Sequence, residues 1–234
     1  MKNPPDVVMI SGASRGIGLA SVREFRAAGW RLSLGVRDPD ALPADLRDDP
    51  QVLVQRYDAL DPAAAAPWTE ATMARFGTIT ALVNNAGINR RVTIETCEDE
   101  DLDLLWAVNV KAPLRLTRTC LPHLEATGRG RIINVVSLSG KRVRNPHVGY
   151  SMTKFAMMGL THTLRHVGWD KGVRTTAVCP GFVRTDMTAG VTKVTPEEMT
   201  DPATRAHLIR TAVELPNNAA IAELLVNCRQ EDLL

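Results

Sequence analysis

An apolar run from Val7 to Ile10 passes at once into Ser11-Gly12-Ala13-Ser14-Arg15-Gly16-Ile17-Gly18-Leu19. Leu19, Val22 and Phe25 then recur at helical spacing. A strand that turns through glycines into an amphipathic helix leaves few architectures open, chiefly those built from βα units on a parallel sheet. Glycines let the backbone approach a pyrophosphate, and the helix N-terminus stabilises its charge. The spacing here is Gly-x-x-x-Gly-x-Gly, not the commoner Gly-x-Gly-x-x-Gly. Any tight strand-to-helix turn can use glycine, so the position directly after a first strand carries the weight. A dinucleotide site is the expectation.

The pattern continues along the chain. Arg31–Val36, Val52–Tyr57, Ile79–Val83, Ile132–Val136, Val173–Cys179 and Ala222–Asn227 read as further strands. Between them lie helical stretches, one from the alanine-rich segment after Pro62 to Phe76 and a long one over Asp101–Leu121. Alternating strands and helices predict an α/β fold, a doubly wound parallel sheet of Rossmann type with helices on both faces. At 234 residues the expectation is one domain over 1–234.

Composition narrows the function. Aromatics are 4% of the chain and the formal net charge is +2, which argues against nucleic-acid partners. No apolar run approaches the roughly 18 residues of a membrane span, and MKNPPDVVMI lacks a signal-peptide core. Cys97, Cys120, Cys179 and Cys228 form no Cys-x-x-Cys pair, so reduced thiols and a cytoplasmic location are expected. His162 and His166 stand at i and i+4, but no third ligand is near, and no metal is expected.

Two features bear on chemistry. Near the end of the second strand the fold places the residue that reads the adenosine ribose, where this chain has Val36-Arg37-Asp38. Arg37, with Arg15 in the glycine turn, suits the 2′-phosphate of NADP, whereas Asp38 would suit the 2′-hydroxyl of NAD. The stretch from Arg131 to Leu160 passes from a strand through a Ser/Gly/basic loop into a helix carrying Tyr150 and Lys154. At i and i+4 they share a helix face, so the ammonium is expected to lower the phenol's pKa. Ser137, at the strand's carboxyl end, is placed to hydrogen-bond the oxygen that Tyr150 protonates.

Ser11-Gly12-x-x-x-Gly16-x-Gly18, Asn84-Asn85-Ala86-Gly87, Asn109, Ser137, Tyr150-x-x-x-Lys154 and Pro180-Gly181 together resemble the short-chain dehydrogenase/reductase family in order and spacing. The resemblance covers the chain from Val7 to about Val226. It implies that Tyr150 is the general acid/base, that Lys154 holds the nicotinamide ribose, and that Ser137 polarises the substrate oxygen. It implies that Asn109 bonds a water through its backbone. It implies cofactor contacts at Gly12, Ser14, Arg15, Gly16, Ile17, Gly18 and Arg37, with Asp58 and Ala59 at the adenine. Asn85, Ala86 and Gly87 would line the ribose side; Pro180, Gly181, Val183 and Thr185 would meet the carboxamide.

Residues 185–202 are expected to form a polar substrate lid with little apolar grip. The ending Glu231-Asp-Leu-Leu lacks the family's common Asp-Gly-Gly and is similar to the subgroup of 3-hydroxy acid and serine-type dehydrogenases. Phe155, Ala156, Met158 and Gly159 would face a second subunit, giving a homodimer or homotetramer. Arg90, Arg91, Lys141, Arg142 and Arg144 follow strand carboxyl ends, where they could attract an anionic substrate. Ser139, Arg91, Arg144 and Met187 are the candidate substrate contacts. The expected activity is hydride transfer between NADP and a carbonyl or secondary alcohol. NAD-linked oxidation of an alcohol, or cofactor sensing without turnover, are the alternatives.

Overall fold

The computed structural model describes residues 6–230. The tail motif from Glu231 lies outside the described residues. Seven strands form one sheet: β1 Val7–Ser11, β2 Arg31–Val36, β3 Val52–Arg56, β4 Ala81–Asn84, β5 Arg131–Val135, β6 Arg174–Pro180 and β7 Glu223–Val226. All pairings are parallel, in the order β3-β2-β1-β4-β5-β6-β7. The order reverses between β1 and β4, which opens a crevice at the carboxyl ends of the central strands.

Helices cover both faces: α1 Gly16–Ala27, a short α2 Ala44–Arg47, α3 Ala65–Phe76, α4 Asp99–Trp106, α5 Ala112–Ala126, α6 Val148–Gly168 and α7 Pro202–Glu214. Side chains alternate across a strand, so Val8 and Ile10 pack with Phe25, Ile209 and Val213 on one face. Met9 points the other way, into a cluster with Trp68, Leu82, Leu116, Ile132 and Leu164. A third cluster joins Val136, Leu138, Met157, Met158, Ala177 and Cys179. Met158 therefore belongs to this chain's own core; only its neighbours Phe155 and Gly159 face outward.

The long helix also departs from expectation. It runs from α4 through a π-helical turn, Ala107–Lys111, into α5. Pro113 has no N–H, so the donor an α-helix would offer the Asn109 carbonyl is missing. Widening of the helix just before a proline is the local response.

Candidate active site

The glycine turn is shaped by two left-handed dihedrals and two contacts that tolerate no side chain. Gly12 and Gly16 have φ of 66° and 55°, in the left-handed region. A methyl on Gly18 would collide with the Gly12 carbonyl, and one on Gly12 with the Ala86 backbone. The β4 turn is bolted onto this loop. Asn85 Nδ2 donates to the carbonyls of Ser11 and Gly12 at 3.1 and 3.0 Å, and Ser11 Oγ accepts from the amides of Asn85 and Ala86. The Asn85 side chain thus fixes the loop's shape. Among the described residues no side chain caps α1, so its first N–H groups face the sheet's carboxyl edge as a site for an anion. That cradle fits the pyrophosphate of a dinucleotide.

Around it, Arg37 is exposed as β2 ends. Asp38, by contrast, accepts from the Asp40 amide at 3.0 Å and caps a short 3-10 turn. Arg15 reaches across to Asp186, with Nη1 and Oδ2 3.0 Å apart. Asp58 accepts from the Leu60 amide, and Ala59 is buried beside it. Gly181 donates to the Val226 carbonyl and lies against Asn227. Thr185 sits over Gly16, whose added methyl would meet its Cγ2 at 3.2 Å.

The loop after β5 begins near Ser137. Ser137 Oγ accepts from the Ser139 amide at 3.1 Å and lies close enough to the Tyr150 phenol to favour its ionised form. Ser139 is buried and accepts from Asn145 Nδ2 at 3.0 Å. Burial raises the Tyr150 phenol above its ordinary value, and Ser137 opposes that rise. The expected lowering by Lys154 is therefore not the leading effect. Lys154 Nζ lies 5.5 Å from the Tyr150 ring centroid, but it donates to the Val135 carbonyl at 3.0 Å. Burial pushes the ammonium down to about 8.

Asn109 is buried and its amide is fully used. Oδ1 accepts from the Ile88 amide at 2.9 Å, while Nδ2 donates to the Ile88 carbonyl and to Thr153 Oγ1 at 3.0 and 3.1 Å. Thr153 Oγ1 in turn donates to the Tyr150 carbonyl at 2.8 Å. Gly87 packs against Asn109 Oδ1 and Lys154 Nζ. Thr153 and the Val135 carbonyl escaped the sequence reading. Thr153 stands three positions after Tyr150, a usable signal, whereas a main-chain carbonyl leaves none.

Residues 185–199 make an excursion beyond β6. Arg91 Nη2 donates to the Ala189 carbonyl at 2.6 Å and to the Met187 carbonyl at 3.4 Å, holding the segment to the β4 loop. Met187 is exposed, but Val194 and Met199 are buried, so the segment has an apolar grip that its polar composition hid. The expected cation cluster is largely engaged. Arg90 pairs with Asp101, Lys141 with Glu223, and Arg91 with the carbonyls above. Arg142 and Arg144 lie close enough for their charges to repel, and Arg144 is exposed. His162 Nε2 lies 3.0 Å from Glu223 Oε1, and His166 is exposed.

A doubly wound parallel sheet with a pyrophosphate cradle and a Ser-Tyr-Lys cluster at one carboxyl edge defines the class of nucleotide-dependent oxidoreductases. The family described as short chain dehydrogenase matches residues 6–195, and this chain belongs to it. Over 229 residues it is 44% identical to an agropine synthesis reductase of Rhizobium rhizogenes, covering 97% of this chain and 53% of the relative. The chain thus spans about half the length of that relative. It is 34% identical to the granaticin polyketide synthase ketoacyl reductase 1 of Streptomyces violaceoruber, covering 94% of this chain and 86% of that one. An alcohol dehydrogenase from Thermococcus sibiricus, complexed with 5-hydroxy-NADP, superposes with a TM-score of 0.86 at 28% identity, covering 94% and 95% of the two chains.

Proposed function

We propose that this chain transfers a hydride between NADP(H) and a small carbonyl/secondary alcohol pair, acting as one domain with residues 185–202 as its lid. The observation that carries the reading is the gathering of Ser137, Tyr150 and buried Lys154 on the same sheet edge as the glycine cradle. NADP, when bound, supplies the hydride chemistry. Tyr150 holds the proton a developing alkoxide would take, and Ser137 orients the substrate oxygen. Lys154, a cation in contact with the phenol ring, stabilises the phenolate left behind. Asn109 fixes the backbone on which Tyr150 rides.

NADP is favoured over NAD because Asp38 spends its carboxylate on a turn while Arg37 remains exposed. Four free cysteines support a reducing, cytoplasmic setting. Among the described residues no helix is long and apolar enough to cross a membrane. A homodimer or homotetramer is part of the proposal, supported by an exposed apolar groove lined by Ile94, Trp106, Val143, Met152 and Phe155. Pairing of Arg90, Arg91 and Lys141 weakens the case for an anionic substrate.

Replacing Tyr150 with Phe tests the reading. Turnover of a carbonyl panel should fall by about two to four orders of magnitude while NADPH affinity stays the same. Full activity in that variant would remove Tyr150 from the chemistry; absence of any turnover in the parent would favour a cofactor sensor.

A further inference from the structure

The largest fully buried charged side chain belongs to Arg205, on the inner side of α7 with Ala206 and Ile209. Its Nη2 donates to Thr200 Oγ1 at 2.8 Å, while Nε and Nη1 are buried with no hydrogen-bond partner among the described residues. Burial pulls the guanidinium down to about 10, so it keeps its charge at neutral pH. The nearby carboxylate of Asp201 is engaged elsewhere, with Arg184 at 2.6 Å and the Ala203 amide at 2.8 Å. A buried cation with no carboxylate partner among the described residues is costly to a fold, and an apolar side chain of similar volume is often as stable there. Space filling therefore does not account for it.

Its one acceptor does. Thr200 is where the excursion after β6 returns: it forms a parallel bridge with Val183, donates its N–H to the Phe182 carbonyl at 3.1 Å, and accepts from the Arg184 amide at 3.0 Å. Val183 and Arg184 lead directly into Thr185, which sits over Gly16. The base of the segment is thus a two-strand clasp, and Arg205 fixes the returning half from below. We infer that Arg205 is a positioning residue for this lid, acting through the Thr200 hydroxyl, and that its charge trades stability for lid order. The inference rests on the proposed dehydrogenase reading only for its kinetic arm.

The test compares Arg205→Met, Thr200→Val and Thr200→Ser by thermal melting, by trypsin cleavage at exposed Lys193 within the segment, and by substrate KM and kcat. Arg205→Met should melt at or above the parent temperature, yet expose Lys193 to cleavage roughly tenfold faster, the scale of one lost charged hydrogen bond. KM should rise by a similar factor with kcat changed less. Thr200→Val should reproduce the cleavage and KM effects, and Thr200→Ser should restore parent behaviour. Parent-like cleavage in both Arg205→Met and Thr200→Val would overturn the inference. If Arg205→Met does not fold, Thr200→Val decides alone. Should no substrate be turned over, the cleavage arm still reads the lid, which separates this inference from the proposed activity.

Discussion

Arg15 in the glycine turn and Asp186 at the start of the excursion after β6 are 171 positions apart in sequence, yet their side chains meet at 3.0 Å. Both are largely exposed, so the pair contributes little to stability. Its consequence is competitive, because the same guanidinium is the candidate reader of the NADP 2′-phosphate. Asp186→Asn should leave NADH affinity unchanged and tighten NADPH by about two- to fivefold, the range of an exposed ion pair. Arg37→Ala should weaken NADPH by about tenfold or more and spare NADH. Fluorescence titration with both nucleotides checks this, and equal losses for the two would refute the assignment.

Lys154 sets a pH dependence whose sign is fixed by burial. Its folded pKa of about 8 lies below the usual lysine value, so between about 8 and 10.5 the unfolded chain binds more protons and stability rises with pH. Tyr150, raised by burial, acts oppositely above about 10. Lys154→Met should abolish turnover, hold or raise the melting temperature at pH 7, and flatten the rise between pH 8 and 10. A melting curve series across that range would expose a different sign.

Asn109→Ala strips partners from both Ile88 backbone groups and from Thr153. We expect a loss of about 2–4 kcal/mol in chemical denaturation, with activity falling alongside, because buried groups left unpaired bear their full desolvation cost. Thr153→Val should cost about 1 kcal/mol and lower kcat more than KM, since it loosens the turn that carries Tyr150. Identical kinetics in the Thr153 variant would show that the link has no catalytic consequence.

Gly18→Ala places a methyl against the Gly12 carbonyl. Overpacking of this kind costs about 1–3 kcal/mol and shifts the loop that would hold the pyrophosphate. Cofactor affinity should collapse while the Gly29→Ala control, whose methyl would meet nothing, affects stability alone. Retained NADPH binding in Gly18→Ala would move the pyrophosphate elsewhere.

The sequence by itself left out α2 and α7 but determined the strands, α1, α3, the long helix of α4 and α5, and the Tyr150/Lys154 pairing on one face of α6. These follow from apolar periodicity and from i,i+4 spacing, both local properties of the backbone. The glycine turn was legible for the same reason, since only glycine tolerates its dihedrals and its approach to Ala86. What only the tertiary structure decided is where long side chains go once the sheet has assembled. Lys154 turns to the Val135 carbonyl, Asn109 spends its amide on Ile88 and Thr153, and Met158 faces inward. The grip of the excursion after β6 through Val194 and Met199, and the burial of Arg205 beneath its base, belong to the same class. In each case the partner is far along the chain or is a main-chain carbonyl. Such partners carry no periodic signal, because the packing of distant elements sets which donor meets which acceptor.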